Sequence, residues 1–180
     1  MSKYIAGSSN KRLWGEDINE DYLVHNSKMA VVCDGMGGGG INVPRSHLEN
    51  ILIDEGKEWH RFLHRRILQQ VSEGDIPASL MVSIGLAEIV RAYQPKTKEE
   101  MAQAVAQTID VVQDLTNYEG RPKTMDNVGS TIVYIDLEDQ RVMSVGDSMA
   151  VRFYLDGNGD VQFDYNRLNN FVMENVLADD

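Results

Sequence analysis

At 180 residues, with 42% hydrophobic and 25% charged residues, the chain has the size and composition of a single soluble globular domain with a sizeable core. A formal net charge of -11 argues against nucleic acid and anionic membrane as partners, because phosphate surfaces are bound by clustered Lys and Arg. The lone cysteine, Cys33, excludes an internal disulfide and reads as a buried, reduced thiol; with no bilayer-length apolar run and no apolar core in the opening "MSKYIAGSSNKR", the expected location is the cytoplasm.

In chain order, "DYLVHN" and "KMAVVC" read as two strands joined by a turn at Asn26-Ser27. From about Val43 to Tyr118 the apolar period becomes helical. The run "PRSHLENILIDEGKEWHRFLHRRILQQV" places Leu48, Ile51, Leu52, Trp59, Phe62, Leu63 and Ile67 at three- and four-residue spacings, with Gly56 a point of break or bend. A second helix, "PASLMVSIGLAEIVRAY", opens at Pro77 and stops before Pro95. A third, "TKEEMAQAVAQTIDVVQDL", opens with a capping box of Thr97 and Glu100 and sets Met101, Val105, Ile109 and Val112 on one side. Strand period returns in "GSTIVYIDL", "QRVMSVGD", "MAVRFYLD" and "VQFDY", with turns at "EDQ" and "DGNGD". The closing "RLNNFVMENVLADD" reads as one more helix. Strands, a helical block and further strands predict an α+β domain with antiparallel sheet, spanning residues 1–180 as one unit.

Three carboxylate groups stand where strands begin or end: Glu20 and Asp21 before the first, Asp34 with Gly35 after the second, and Asp147 after a later one. If the first two strands pair as a hairpin, Asp21 and Asp34 lie at the same end of the sheet. Carboxylates so placed repel, and divalent cations relieve the repulsion; oxygen ligands select hard ions, Mg²⁺ or Mn²⁺. Other patterns are weaker. His60 and His64 have metal-pair spacing, but Arg61, Arg65 and Arg66 surround them, so a solvated helix face is the better reading. "DGNGD" is a hairpin turn rather than a calcium loop, and "GMGGGG" lacks the Lys-Ser/Thr of a nucleotide-binding loop.

Taken in order, "NED", "VVCDGMGG", "GSTIVYIDL" and "RVMSVGDS" resemble the signature segments of the metal-dependent serine/threonine protein phosphatases of type 2C. The resemblance implies a four-layer fold, an antiparallel β-sandwich flanked by helices. It also implies a two-metal site of Mg²⁺ or Mn²⁺ and hydrolysis of phosphoserine or phosphothreonine in a phosphoprotein substrate by metal-activated water. Carried over by position, Asp34 is the bridging carboxylate and Gly35 a backbone-carbonyl ligand. Glu20 and Asp21 hold metal-bound waters, and Asp147 stands near a looser metal. On this resemblance the chain matches the first two-thirds of a family domain, ending before its last metal-binding segments.

Two positions depart from the family pattern: Glu16 stands where an arginine grips phosphate, with Lys11 or Arg12 as substitutes, and Met149 replaces an arginine after "GDS". An incomplete sandwich would leave an exposed sheet edge, so a homodimer through that edge is expected. The rival readings are a catalytically weak or inactive phosphatase-like scaffold that binds a protein partner, and a hydrolase of small phosphorylated molecules.

Overall fold

The computed structural model describes residues 19–36, 41–117, 128–148, 150, 152–164 and 172–175. Its strands are β1 (Tyr22–His25), β2 (Met29–Gly35), β3 (Asn42–Val43), β4 (Ile76–Pro77), β5 (Ser130–Asp136), β6 (Arg141–Val145), β7 (Arg152–Leu155), β8 (Val161–Asp164) and β9 (Val172–Asn175). Its helices are α1 (Arg45–Asn50), α2 (Glu58–Gln70), α3 (Ala78–Tyr93) and α4 (Lys98–Thr116).

Asparagine 26 starts the first hairpin. Its side-chain oxygen accepts the amides of Lys28 at 2.8 Å and Met29 at 3.0 Å, an Asx turn that reverses the chain. β1 and β2 then pair antiparallel with Tyr22 opposite Cys33. β2 pairs antiparallel with β5, and β5 with β6. Between β5 and β6 the "EDQ" turn is held by Asp136, whose Oδ1 accepts the amides of Glu138 and Asp139. The five-stranded sheet runs β1-β2-β5-β6-β9.

Two expectations fail at β9. The closing segment was expected to be helical, yet Val172–Asn175 is a strand, and it pairs with β6 in parallel, so the sheet is mixed rather than wholly antiparallel. The open edge of β6 explains the outcome: unpaired backbone groups there accept a strand, and a four-residue segment has little intrinsic helical preference to resist it. β3 with β4 and β7 with β8 form separate two-stranded ribbons. The "DGNGD" segment does close the β7–β8 hairpin, with Asp156 Oδ1 accepting the amides of Asn158 and Asp160.

Alternation along the sheet directs Met29, Val31 and Cys33 of β2, Ile132 and Tyr134 of β5, and Met143 of β6 into the core. α3 packs on that face, with α2 and α4 against α3. Burial pushes the Cys33 thiol up, far from reactivity, as its apolar run implied. Thr97 caps α4 by accepting the Glu100 amide at 3.1 Å, while the Glu100 carboxylate reaches back to the Lys96 amide. On α4, Ile109 is 42% exposed rather than core; Thr108 and Val112 take the inward positions beside it. The helical run around Gly56 is broken outright, since residues 51–57 separate α1 from α2. No helix among the described residues is long and apolar enough to cross a membrane.

Glu88, on α3, is wholly buried, and two arginines and a tyrosine hydroxyl surround it. Arg66 of α2 reaches its Oε1 at 2.6 Å, Arg91 reaches Oε2 at 2.5 Å, and the Tyr22 hydroxyl donates to Oε1 at 3.1 Å. Burial first, and then the Glu88 carboxylate, push the Tyr22 hydroxyl up to about 12, so it remains a donor at physiological pH. One carboxylate therefore ties α2, α3 and β1 together. Removing it leaves two arginines without an acceptor beside apolar packing. Glu88→Ala is expected to destabilise the fold by about 2–4 kcal/mol, read as a lowered urea midpoint with an unchanged slope.

Candidate metal centre at the sheet end

The hairpin register fixes the centre of the site. Tyr22 faces Cys33, so one residue further on Asp21 faces Asp34 and Glu20 faces Gly35. Both aspartates are exposed at the end of the sheet. Asn19 holds the approach to β1 by accepting the Asp21 amide at 2.9 Å. The Asp21 carboxyl is held above its ordinary range by partial burial first, then by hydrogen bonding and repulsion from Asp34, with Glu20 adding to the rise. The backbone N–H of Gly35 offsets part of this. Among the described residues no Lys, Arg or His forms an ion pair with either aspartate, whereas Asp136 is paired with Lys96 and Asp114 with Lys57.

Glycine at 35 is required by the approach of the preceding loop. A Cβ there would lie 2.6 Å from both the Cβ and the backbone oxygen of Glu20, well inside contact distance. Glu20 is thus pressed against the β2 end, and its carboxylate accepts a hydrogen bond from Ser79 at the start of α3. On the other side of Asp34, β5 supplies Thr131 directly opposite and Ser130 opposite Gly35. The Ser130 hydroxyl lies 3.1 Å from the Asp34 carbonyl oxygen.

Asp147 stands on the same rim but further along it. β6 ends at Val145, opposite Ile132, so Asp147 lies just past the end of β6, two strands away from β2. Strands β2 and β6 are two strand spacings apart, about 10 Å. Gly146 has φ 92°, which turns the chain out of β6, and the Thr131 and Ser148 hydroxyls bond across the turn. The structure therefore brings Asp21, Asp34, Gly35 and Glu20 together and leaves Asp147 as a neighbour. Among the described residues, no three acidic, imidazole or thiolate side chains gather as a ready-made metal cluster. The immediate donor set is a carboxylate pair, with Glu20 engaged by Ser79. This set fits Mg²⁺ or Mn²⁺, which keep several waters beside one or two carboxylates, and the uncompensated repulsion at Asp21 is what a cation would relieve.

Glu16, Lys11, Arg12, Trp14, Met149 and the glycines at 37–40 lie outside the described residues. His60 is a correction: it is buried, with Nε2 3.0 Å from Asp114, and His64 bonds to the Leu48 carbonyl, so neither lies on a solvated face. A concavity of about 140 Å³ opens beside His60, but Lys57, His60 and Asp114 satisfy one another there. Sequence reasoning missed Ser79, Ser83, Ser130 and Thr131. The available signal was two serines four residues apart in an otherwise apolar helix. Comparison of the chain with protein-family models, curated proteins and solved structures gave no match.

Two outcomes follow from this geometry. Gly35→Ala must displace the Glu20 loop or the β2 end, and is expected to lower stability by about 1–3 kcal/mol in chemical denaturation. Asp34→Asn removes the repulsion. Because the folded-state Asp21 titrates higher than in the unfolded chain, the stability tied to its protonated form is present at low pH and lost as pH rises through that titration. The metal-free variant should therefore gain stability at pH 7, by less than about 1 kcal/mol after solvent screening, with the gain fading as pH falls toward 4.

Proposed function

We propose that the chain is a metal-dependent phosphatase domain resembling type 2C, hydrolysing phosphoserine or phosphothreonine in proteins. The observation that supports this most is the Asp21–Asp34 pair, held face to face at the sheet end with no cationic side chain among the described residues paired to it. Asp34 and Asp21 would hold the ion, with the Gly35 carbonyl joining them and Glu20 and Asp147 binding its waters. A bound Mg²⁺ or Mn²⁺ supplies Lewis acidity and neutralises phosphate charge. The protein's own contribution is orientation: the hairpin sets the two carboxylates side by side, and Gly35 lets the Glu20 backbone approach the end of β2. An acidic chain repels a phosphoprotein until that charge is offset.

The finer fold belongs to the same reading. The outward face of the sheet carries Leu23, Ala30, Val32, Val133, Ile135 and Val142, an apolar surface of the kind a second sheet covers in a sandwich. Val32 is 45% exposed there, while its neighbour Val133 is buried. Pairing of two copies along the edge strand β1 is part of the proposal, as is a cytoplasmic location.

The second reading, a phosphatase-like scaffold, draws on a specific feature: Glu20 is bound to Ser79, and among the described residues no third metal-ligating side chain joins the Asp21–Asp34 pair. Activity decides between them. With Mn²⁺, the protein is expected to hydrolyse p-nitrophenyl phosphate and phosphothreonine peptides in preference to nucleotides and sugar phosphates. Asp34→Ala should reduce kcat/KM more than about 100-fold while circular dichroism and melting show the fold intact. Unchanged hydrolysis by that variant would remove the assignment, and Mn²⁺ binding without turnover would favour the scaffold.

A further inference from the structure

We infer that Ser79 and Ser83 of α3 are positioning residues for the acid pair, one holding the strand-entry side and the other the strand-exit side. The inference rests on the metal reading of Asp21 and Asp34.

α3 is apolar almost throughout, and its residues from Ala78 to Val90 are all buried. Ser79 is 4% exposed and Ser83 is fully buried. They stand one helical turn apart, so both hydroxyls face the same direction, with about 6 Å between them. A buried hydroxyl in a helix usually satisfies itself on its own backbone. Thr108 does this in α4, donating to the Ala104 carbonyl at 2.9 Å, and Thr116 donates to Gln113. The two serines of α3 bond across to other elements instead.

Ser79 donates to Glu20 Oε2, fixing the carboxylate that precedes Asp21. Ser83 donates to Ser130 Oγ at 2.9 Å. Ser130 in turn lies within 3.1 Å of the Asp34 carbonyl oxygen and 2.9 Å of the Thr131 carbonyl oxygen. One turn of one helix thus reaches both sides of the hairpin end. The Glu20 carboxylate also sits at the N-terminal turn of α3, where the helix dipole favours a negative charge. The chemical consequence is geometric. Two repelling carboxylates move apart unless their backbones are held, and the serines hold them through hydrogen bonds anchored at buried hydroxyls on one side and reaching the part-exposed hairpin end on the other.

The test reads metal binding and backbone position rather than turnover. Mn²⁺ affinity is measured by electron paramagnetic resonance of the free ion, on the full chain. Ser79→Ala and Ser83→Ala are each expected to weaken binding about 10-fold, with melting temperatures close to the parent's. Ser79→Thr, which keeps the hydroxyl, should restore the affinity. In the metal-free protein, amide resonances of Glu20, Asp34 and Gly35 should shift in the alanine variants while those of α4 stay in place. Parent-like affinity in both alanine variants, or unmoved resonances at these three residues, would overturn the inference. If Ser83→Ala costs the fold, Ser83→Cys, similar in volume and a poor donor, carries the same comparison. If the parent itself binds no Mn²⁺, the metal reading fails on its own, and the metal-free resonances alone judge the serines: shifts uphold their positioning role and unmoved peaks overturn it.

Discussion

Helix α3 has almost no solvent-facing side, and the rest of the structure is arranged around that constraint. A polar group on such a helix has no water to turn to, so each must be answered by another protein group, chiefly from a neighbouring element. Ser79 is answered by Glu20, Ser83 by Ser130, and Glu88 by Arg66, Arg91 and Tyr22. Three demands of one helix thereby position β1, the end of β2 and the start of β5. The apolar remainder of the helix supplies the adhesion, packing on Cys33, Val31, Ile132 and Tyr134. Adhesion alone would let the sheet slide; the polar contacts set where it stops.

The chain treats its carboxylates in two opposite ways. Glu88 is shared by two arginines, Asp136 by Lys96 and backbone amides, and Asp114 by Lys57 and His60. For Asp136, burial raises the carboxyl's pKa, but Lys96 and the amides of Asp139 and Glu138 outweigh it and hold it low. These are settled sites. At the hairpin end the balance is reversed: the Asp21 carboxyl is raised, and its nearest charged neighbours are acidic. Two like charges kept together against their repulsion cost stability, and such tension is a common mark of a site that binds something. The contrast with Glu88, Asp136 and Asp114, each paired with a cationic side chain, gives the metal reading its physical content.

Much of the architecture was readable from local chemistry. The turn at Asn26, the Thr97 cap, the Asp136 and Asp156 turns and the buried Cys33 all depend on residues within a few positions of one another. The failures share the opposite property. Ile109 has the right spacing for a core position, but Thr108 occupies the contact with α3 because Gly85 leaves room for its methyl group. His60 was surrounded by arginines in sequence, yet Asp114, on a different helix, meets it in space. The segment Val172–Asn175 became a strand because β6 offered it an edge.

The same division runs through the candidate site. Sequence alone determined that Asp21 and Asp34 would share one end of the sheet, since a two-strand register needs only a turn and two alternating runs. It also located Gly35, because a bare backbone beside a carboxylate is visible in the letters. Only the tertiary structure decided that Glu20 would be drawn onto Ser79, that Asp147 would follow a strand two places from β2 in the sheet, and that Ser83 would reach Asp34 through Ser130. The contacts Glu20–Ser79, Ser83–Ser130 and Ser130–Asp34 join residues 59, 47 and 96 positions apart. Their geometry is set by how a buried helix lies on a twisted sheet, which no local pattern encodes.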